Sequence, residues 1–353
     1  MKIVVLAGGL STERNVSLVT GTGVCRALRQ KGHQAILVDM FLGLEDYAGD
    51  LADIFDVPDG RCSDVHVEST EPDLDAVRKS RADQGPSILG KDVLAVCTMA
   101  DAVFLALHGS CGEDGRIQAA LDLLGVPYTG SGYLGSGMAM DKAITKRFLD
   151  DEQIRSAPWR DVIYTEADIP RLVEELEVPC AVKIVNGGSS IGVELPDTKE
   201  ELESALHSIL AYGNHVIVEK KIVGRELTVA VLGDRYLPAV EIIPKNAYFD
   251  YEAKYQSSFV TEVCPAQIDE SVWHEMGEMA LKLHRALGLA VYSRTDFLLD
   301  AEGKPWCLEV NTLPGMTPTS LYPQEAAAAG MSYADLCETI VLESIKARKA
   351  ERK

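Results

Sequence analysis

The strongest constraint on what this chain can fold into stands at its start, where the apolar run from Lys2 to Ala7 ends on Gly8 and Gly9. A helical spacing follows, with Val16, Val24 and Leu28 on neighbouring turns before Gly32, and Ala35 to Asp39 supplies a second apolar run. Strand, glycine turn, helix and strand in that order open a parallel α/β sheet, whose ligand edge lies beyond the carboxyl ends of its strands. Val103 to Leu107 repeats the strand pattern and delivers His108 and Gly109 to the same edge.

With 353 residues, 46% of them apolar, the chain has material for two or three cores. Residues 43–90 are acidic and irregular, with Pro58, Pro72 and Pro86, and read as a surface insertion. A helix over 138–151 leads onward, strands at 180–185 and 216–220 flank a helix at 198–211, and strands at 226–232 and 236–242 precede a helix near 271–287. A hairpin and a closing helix near 333–348 complete the pattern. The expected division is 1–138 for an N-terminal α/β domain, 139–213 for a central unit and 214–353 for a C-terminal unit.

Charge and cysteine usage narrow the function classes. The 54 acidic and 34 basic side chains leave a formal charge of -20, which repels nucleic-acid phosphates and anionic lipid. No apolar run is long enough to span a membrane, and Gly8, Gly9, Glu13 and Arg14 interrupt the start before a signal-peptide core forms. The eight cysteines are scattered without a Cys-x-x-Cys pair, as expected of reduced thiols in a cytoplasmic protein. Neither nucleic acid nor membrane is an expected partner.

The most informative stretch is Val291 to Asn311. Two strands about a turn near residue 302 place Asp296 roughly opposite Glu309, and alternation puts Arg294 with Asp296 on one face and Glu309 with Asn311 on the neighbouring strand's face. Hard oxygen donors of this kind suit magnesium shared with phosphates, and the arginine can stabilise developing negative charge. An ordinary solvated hairpin fits the same spacing. Lys183 followed by Asn186 to Ser190 offers a lysine and a donor-rich loop without P-loop order, so a plain turn also fits. Glu219 and Glu226 stand where a strand edge could present them to an adenine amine and to ribose hydroxyls. Gly130 to Gly135 fits the dinucleotide fingerprint, which leaves a Rossmann-type dehydrogenase as an alternative, and Cys111 beside His108 is a weak candidate nucleophile.

Taken in order, Gly8 to Arg14, Leu107 to Gly115, Pro127 to Gly132, Met140 to Lys142, Gly188 to Ser190, Tyr251 to Tyr255 and Glu309 to Thr317 resemble the D-alanine:D-alanine ligases of the ATP-grasp superfamily. The resemblance runs nearly end to end apart from residues 43–90. It implies a Rossmann-like parallel-sheet domain followed by a two-part ATP-grasp fold, and ATP-dependent ligation of two D-alanine molecules through an acyl phosphate for peptidoglycan precursor synthesis. At matching positions Lys142, Lys183, Glu219, Lys220, Glu226 and Lys254 would hold ATP, while Asp296, Glu309 and Asn311 would hold a pair of Mg2+ or Mn2+ ions. Glu13 would bind the first ammonium with His108 nearby, Arg294, Ser320 and the Gly315-Met316 backbone would engage the reacting carboxylates, and Ser189 and Tyr255 would join Glu13 in a network closing the site. The polar segment 245–261 would be a lid, and a homodimer is the expected assembly. Asn15, Ile184, Thr295 and Leu313 depart from the common pattern without removing any of these charged groups. A D-alanine:D-serine ligase remains an alternative; the Tyr251 to Tyr255 segment speaks against D-lactate.

Overall fold

The structure, a computed structural model, describes residues 1–62, 72–110, 112–187, 192–244 and 260–351. Strands β1 (Lys2–Ala7), β2 (Gln34–Asp39) and β3 (Ala102–Leu105) form a parallel sheet in the order β2-β1-β3, Val4 pairing with Ile36 on one side and Val103 on the other. Ile3 to Ala7 are fully buried, as a strand covered on both faces requires. The glycine turn leads into the helix Arg14–Gln30. Gly8 has φ +75°, and a Cβ there would lie 2.6 Å from the Asp39 carboxylate, so glycine is needed. That carboxylate is tied to the Arg14 guanidinium and to the Phe41 and Leu42 N–H groups, which pins β2 to the turn.

Part of the expected surface insertion belongs to the core. The 3-10 helix Leu51–Asp56 buries Ile54 and Phe55 against this sheet, and the Leu37 N–H donates to the Gly60 carbonyl. The acidic composition hid these few apolar anchors.

The expected helix over 138–151 is two helices, Tyr133–Met140 and Lys142–Asp151. Asp141 between them is extended, and its side chain caps the second by accepting the Ile144 N–H at 2.8 Å. Strands β4 (Trp159–Ile163), β5 (Cys180–Ile184), β6 (Val193–Glu194) and β7 (His215–Lys220) form an antiparallel sheet in the order β4-β7-β5-β6. Helices Ile169–Glu175 and Lys199–Ile209 close its core over Val182, Leu202, Leu206 and Val216. Within this sheet β7 pairs with β4 on one side and β5 on the other, and the next sheet begins with β8 at Arg225.

The third sheet contains β8 (Arg225–Leu232), β9 (Arg235–Tyr236), β10 (Val240–Pro244), β11 (Val260–Val263), β12 (Tyr292–Leu299) and β13 (Pro305–Asn311). Its order is β11-β10-β8-β12-β13, with β9 pairing β8. One face packs on the helix Glu270–Ala286 through Leu227, Val229, Phe297 and Leu299. The opposite face carries Ala230 and Tyr292 into the N-terminal core, together with Tyr322 of the helix Leu321–Ala328 and Leu336 and Ile340 of the helix Tyr333–Glu351.

The last helix therefore completes a core that the first residues begin. Arg348 is buried, stacks over Tyr128 at 4.8 Å and donates to the Gly130 carbonyl at 3.0 Å, while Ser344 Oγ accepts the Gly130 N–H. Gly130, the first glycine of that fingerprint, thus spends both of its backbone groups on the closing helix and has none left for a dinucleotide phosphate, which speaks against the dehydrogenase alternative. Replacing Arg348 with Ala should lower stability by about 2–3 kcal/mol through lost packing and an unpaired buried carbonyl. A urea midpoint that falls at unchanged slope checks this; a midpoint equal to the parent's would contradict the assigned role.

Candidate active site

The β12–β13 hairpin has the register that alternation predicts: Asp296 pairs with Glu309 and Arg294 with Asn311, before a bulge after Asp296. Pairing of β12 with β8 along its whole length sets which side chains face the cleft. Arg294 Nε and Nη2 donate to the two Asp296 oxygens, both at 2.8 Å, and Asn311 Nδ2 donates to Asp296 Oδ2 at 3.0 Å. Burial alone would weaken the hold of Arg294 on its proton, but Asp296 more than offsets this and keeps the guanidinium charged. Glu309 reaches across the cleft to Lys142, with 3.6 Å between Oε2 and Nζ.

Lys142 opens its helix, and its Nζ donates to the Gly187 carbonyl at 2.6 Å. One turn on, Lys146 meets Glu219 of β7, and Lys183 of β5 binds the other Glu219 oxygen at 2.5 Å. Burial opposes the charge on Glu219, yet the two lysines hold its carboxyl below the usual range; burial likewise opposes the Lys183 charge, and Glu219 restores it. The Glu219 carboxylate is thus committed to lysines within the protein. Lys146 was missed from the sequence, although its i,i+4 spacing from Lys142 was a usable signal. Lys220 is exposed at the end of β7. Glu226, paired with Leu298 near the start of β8, shares the sheet face of Asp296.

The opposite wall comes from the first sheet. Glu13 occupies the N-cap position of the helix Arg14–Gln30 without using its side chain as a cap, and its carboxylate lies beside Gly109: a Cβ there would sit 3.0 Å from Glu13 Oε2. His108 has both ring nitrogens engaged, Nδ1 with the Leu313 carbonyl at 3.1 Å and Nε2 with the Thr20 hydroxyl at 3.2 Å. Burial pulls its pKa down, so the neutral ring donates from Nδ1 and accepts from Thr20. Ser320 caps the turn that follows the hairpin: its Oγ accepts the Thr317 N–H at 3.1 Å, and a Cβ on Gly315 would lie 3.0 Å from it.

Two further acids went unnoticed in the sequence. Glu113 accepts the N–H groups of Gly109 at 2.8 Å and Leu313 at 3.3 Å. Glu325 is fully buried under β8, where it accepts the Ala230 N–H, and burial raises its pKa well above the carboxylate range. Ser189, Lys254 and Tyr255, Cys111, and the expected lid apart from Val260 and Thr261 lie outside the described residues.

One cleft gathers Glu13 and Glu113 from loops of the N-terminal unit, Lys142 and Gly187 from the central unit and Glu309 and Asn311 from β13. It places oxygen donors and cations on one side and carboxylates suited to an ammonium on the other. Among the described residues no three His, Cys, Asp or Glu side chains cluster as a metal site; the hairpin's oxygen donors are two carboxylates and one amide. No helix among them is long and apolar enough to cross a membrane.

The family model described as D-ala D-ala ligase N-terminus matches residues 2–131, and the model described as D-ala D-ala ligase C-terminus matches residues 152–342. The chain is 42% identical over 343 residues to the D-alanine–D-alanine ligase of Pediococcus pentosaceus, covering 97% of each. It is 39% identical over 348 residues to that of Lacticaseibacillus casei, covering 98% of this chain and 96% of the relative. The crystal structure of D-alanine–D-alanine ligase from Bacillus anthracis superposes with a TM-score of 0.72 at 30% identity, covering 99% of both chains, and the same enzyme complexed with ATP does so at 0.71 and 28%. The parallel sheet followed by two antiparallel sheets is the ATP-grasp arrangement of those neighbours, and by motif order, fold and full-length likeness this chain belongs to the D-alanine–D-alanine ligase family.

Proposed function

We propose that the chain joins two D-alanine molecules at the cost of one ATP, activating the first carboxylate as an acyl phosphate that the second amine then attacks. The observation that carries this reading is the hairpin register, which pairs Asp296 with Glu309 and Arg294 with Asn311, Glu309 and Asn311 lining one cleft with Glu13. A carboxylate is anionic and has no good leaving group, and phosphorylation removes both obstacles.

The residues divide this work. Lys142, Lys183, Lys220 and Glu226 hold the nucleotide, and Glu219 orients Lys183 and Lys146 beside it. The oxygen donors of the hairpin fit a small hard cation. Asp296, Glu309 and Asn311 would hold a pair of magnesium or manganese ions, which would supply positive charge against the negative charge that develops in phosphoryl transfer. Arg294, fixed by Asp296, stabilises negative charge on the reacting carboxyl and its tetrahedral adduct. Glu13 holds the first ammonium, and Ser320 with the Gly315-Met316 backbone receives the second carboxylate. Lys254, Ser189 and Tyr255 take the phosphate-binding and closing roles that the family resemblance implies.

We place this reaction in the cytoplasm, in the supply of peptidoglycan precursors. The assembly is a homodimer: Leu123, at 90% exposed, and the exposed Leu124, Tyr133 and Leu134 lie on two packed helices and offer an apolar surface for a second copy.

Incubated with ATP, magnesium and single candidate substrates, the protein should release ADP and phosphate with D-alanine and yield D-alanyl-D-alanine by mass spectrometry. Equal turnover of L-alanine would refute the reading, and a D-alanyl-D-serine product dominating a mixture of D-alanine and D-serine would replace the second substrate. Glu309→Gln should cut turnover by about 10²–10³-fold. Circular dichroism should stay that of the parent, because cross-strand pairing does not need this charge; ordinary activity in the variant would remove the hairpin from the reaction.

A further inference from the structure

Glu113 differs from Asp296, Glu309 and Glu219 in its partners. Asp296 is held by Arg294, Glu309 faces Lys142, and Glu219 is shared by Lys146 and Lys183. Glu113 forms no ion pair among the described residues; its two oxygens accept only the N–H groups of Gly109 and Leu313. It sits in the loop between β3 and the helix Arg116–Leu124, on the same wall as Glu13, with Gly109 between the two carboxylates. His108 beside it is a poor alternative base, since both ring nitrogens have protein partners.

The second half of the reaction needs such a group. The incoming D-alanine arrives as an ammonium, which has no lone pair. One N–H bond must break, its electrons becoming the lone pair that attacks the acyl carbon; the adduct then loses a second proton from nitrogen as the carbon–oxygen bond to phosphate breaks, and the phosphate leaves with that electron pair and takes the second proton. A carboxylate paired with lysine or arginine holds a proton weakly; one without a cation holds it better.

We propose that Glu113 is the catalytic residue that accepts the proton from the second D-alanine's ammonium, with the first D-alanine held as its acyl phosphate beside Glu13. This rests on the ligase reading above. Burial pushes the Glu113 carboxyl up to about 8, the Glu13 charge adds to the rise, and the Gly109 and Leu313 N–H groups and Arg294 oppose it. His108, neutral, adds no charge. A base poised near neutral pH combines availability with driving force. Because Glu113 acts deprotonated, peptide formation should weaken as pH falls below about 8.

A competition assay separates proton acceptance from positioning. With ATP, magnesium, D-alanine and hydroxylamine together, the acyl phosphate partitions between D-alanyl-D-alanine and D-alanine hydroxamate. Hydroxylamine is uncharged at neutral pH and needs no base before it attacks. In Glu113→Gln the dipeptide should fall by about 10²-fold or more while hydroxamate stays within about threefold of the parent. Equal loss of both, or loss of neither, would overturn the proposal. Should the variant not fold, the parent protein decides: the dipeptide-to-hydroxamate ratio should rise with pH and level off above about 8. A continued rise toward the more alkaline pKa of free D-alanine's ammonium would mean that no such base acts. Parent protein that makes neither product would refute the ligase reading instead.

Discussion

The cleft depends first on one antiparallel register, the pairing of Asp296 with Glu309 and of Arg294 with Asn311. Side-chain direction alternates along a strand, so a slip of one residue would turn all four groups away from the cleft. Core packing forbids the slip. Phe297 and Leu299 point to the opposite face, into the core under the helix Glu270–Ala286, and β8 pairs with β12 from Tyr292 to Leu299. The same register carries the chain out of β13 to Leu313, whose N–H goes to Glu113 and whose carbonyl goes to His108. One residue thereby links the hairpin to the wall that carries Glu13.

Electrostatics builds on that frame. The chain carries a formal charge of -20, yet Lys142 lines the cleft and Lys146, Lys183 and Arg294 lie nearby, each beside a carboxylate. The buried Lys146–Glu219–Lys183 group has one positive charge in excess, a suitable lining for a polyphosphate. Such a group is costly to desolvate and costlier to break, because removing one member strands the others in a low-dielectric interior. In the proposed reaction its worth would lie in preorganisation, the lysines being held in place before a nucleotide binds.

How much of this was legible in the sequence follows the separation of the interacting residues. The hairpin could be read because its strands and turn form one continuous stretch, and period-two alternation gives the facing pairs. The N-terminal sheet could be read for the same reason, as strand, glycine turn and helix are neighbours. Glu113 could not: its partner Leu313 lies 200 residues away, and nothing local marks that contact. Glu325 sits in an alanine-rich helix whose composition gives no sign that its acid is buried under β8. Ile54 and Phe55 were lost in an acidic background, and the break at Asp141 was hidden because its flanks are both helical. The two lysines that meet the Glu219 carboxylate were not legible locally either, because Lys146 and Lys183 lie on other elements far along the chain.

Activation of a carboxylate by phosphorylation moves an oxygen atom from carbon to phosphorus, and isotope labelling follows that transfer. D-alanine labelled with 18O in its carboxylate should pass one labelled oxygen to the released phosphate for each dipeptide formed, because the oxygen bridging carbon and phosphorus departs with phosphorus. Phosphate released free of label during dipeptide synthesis would contradict the account.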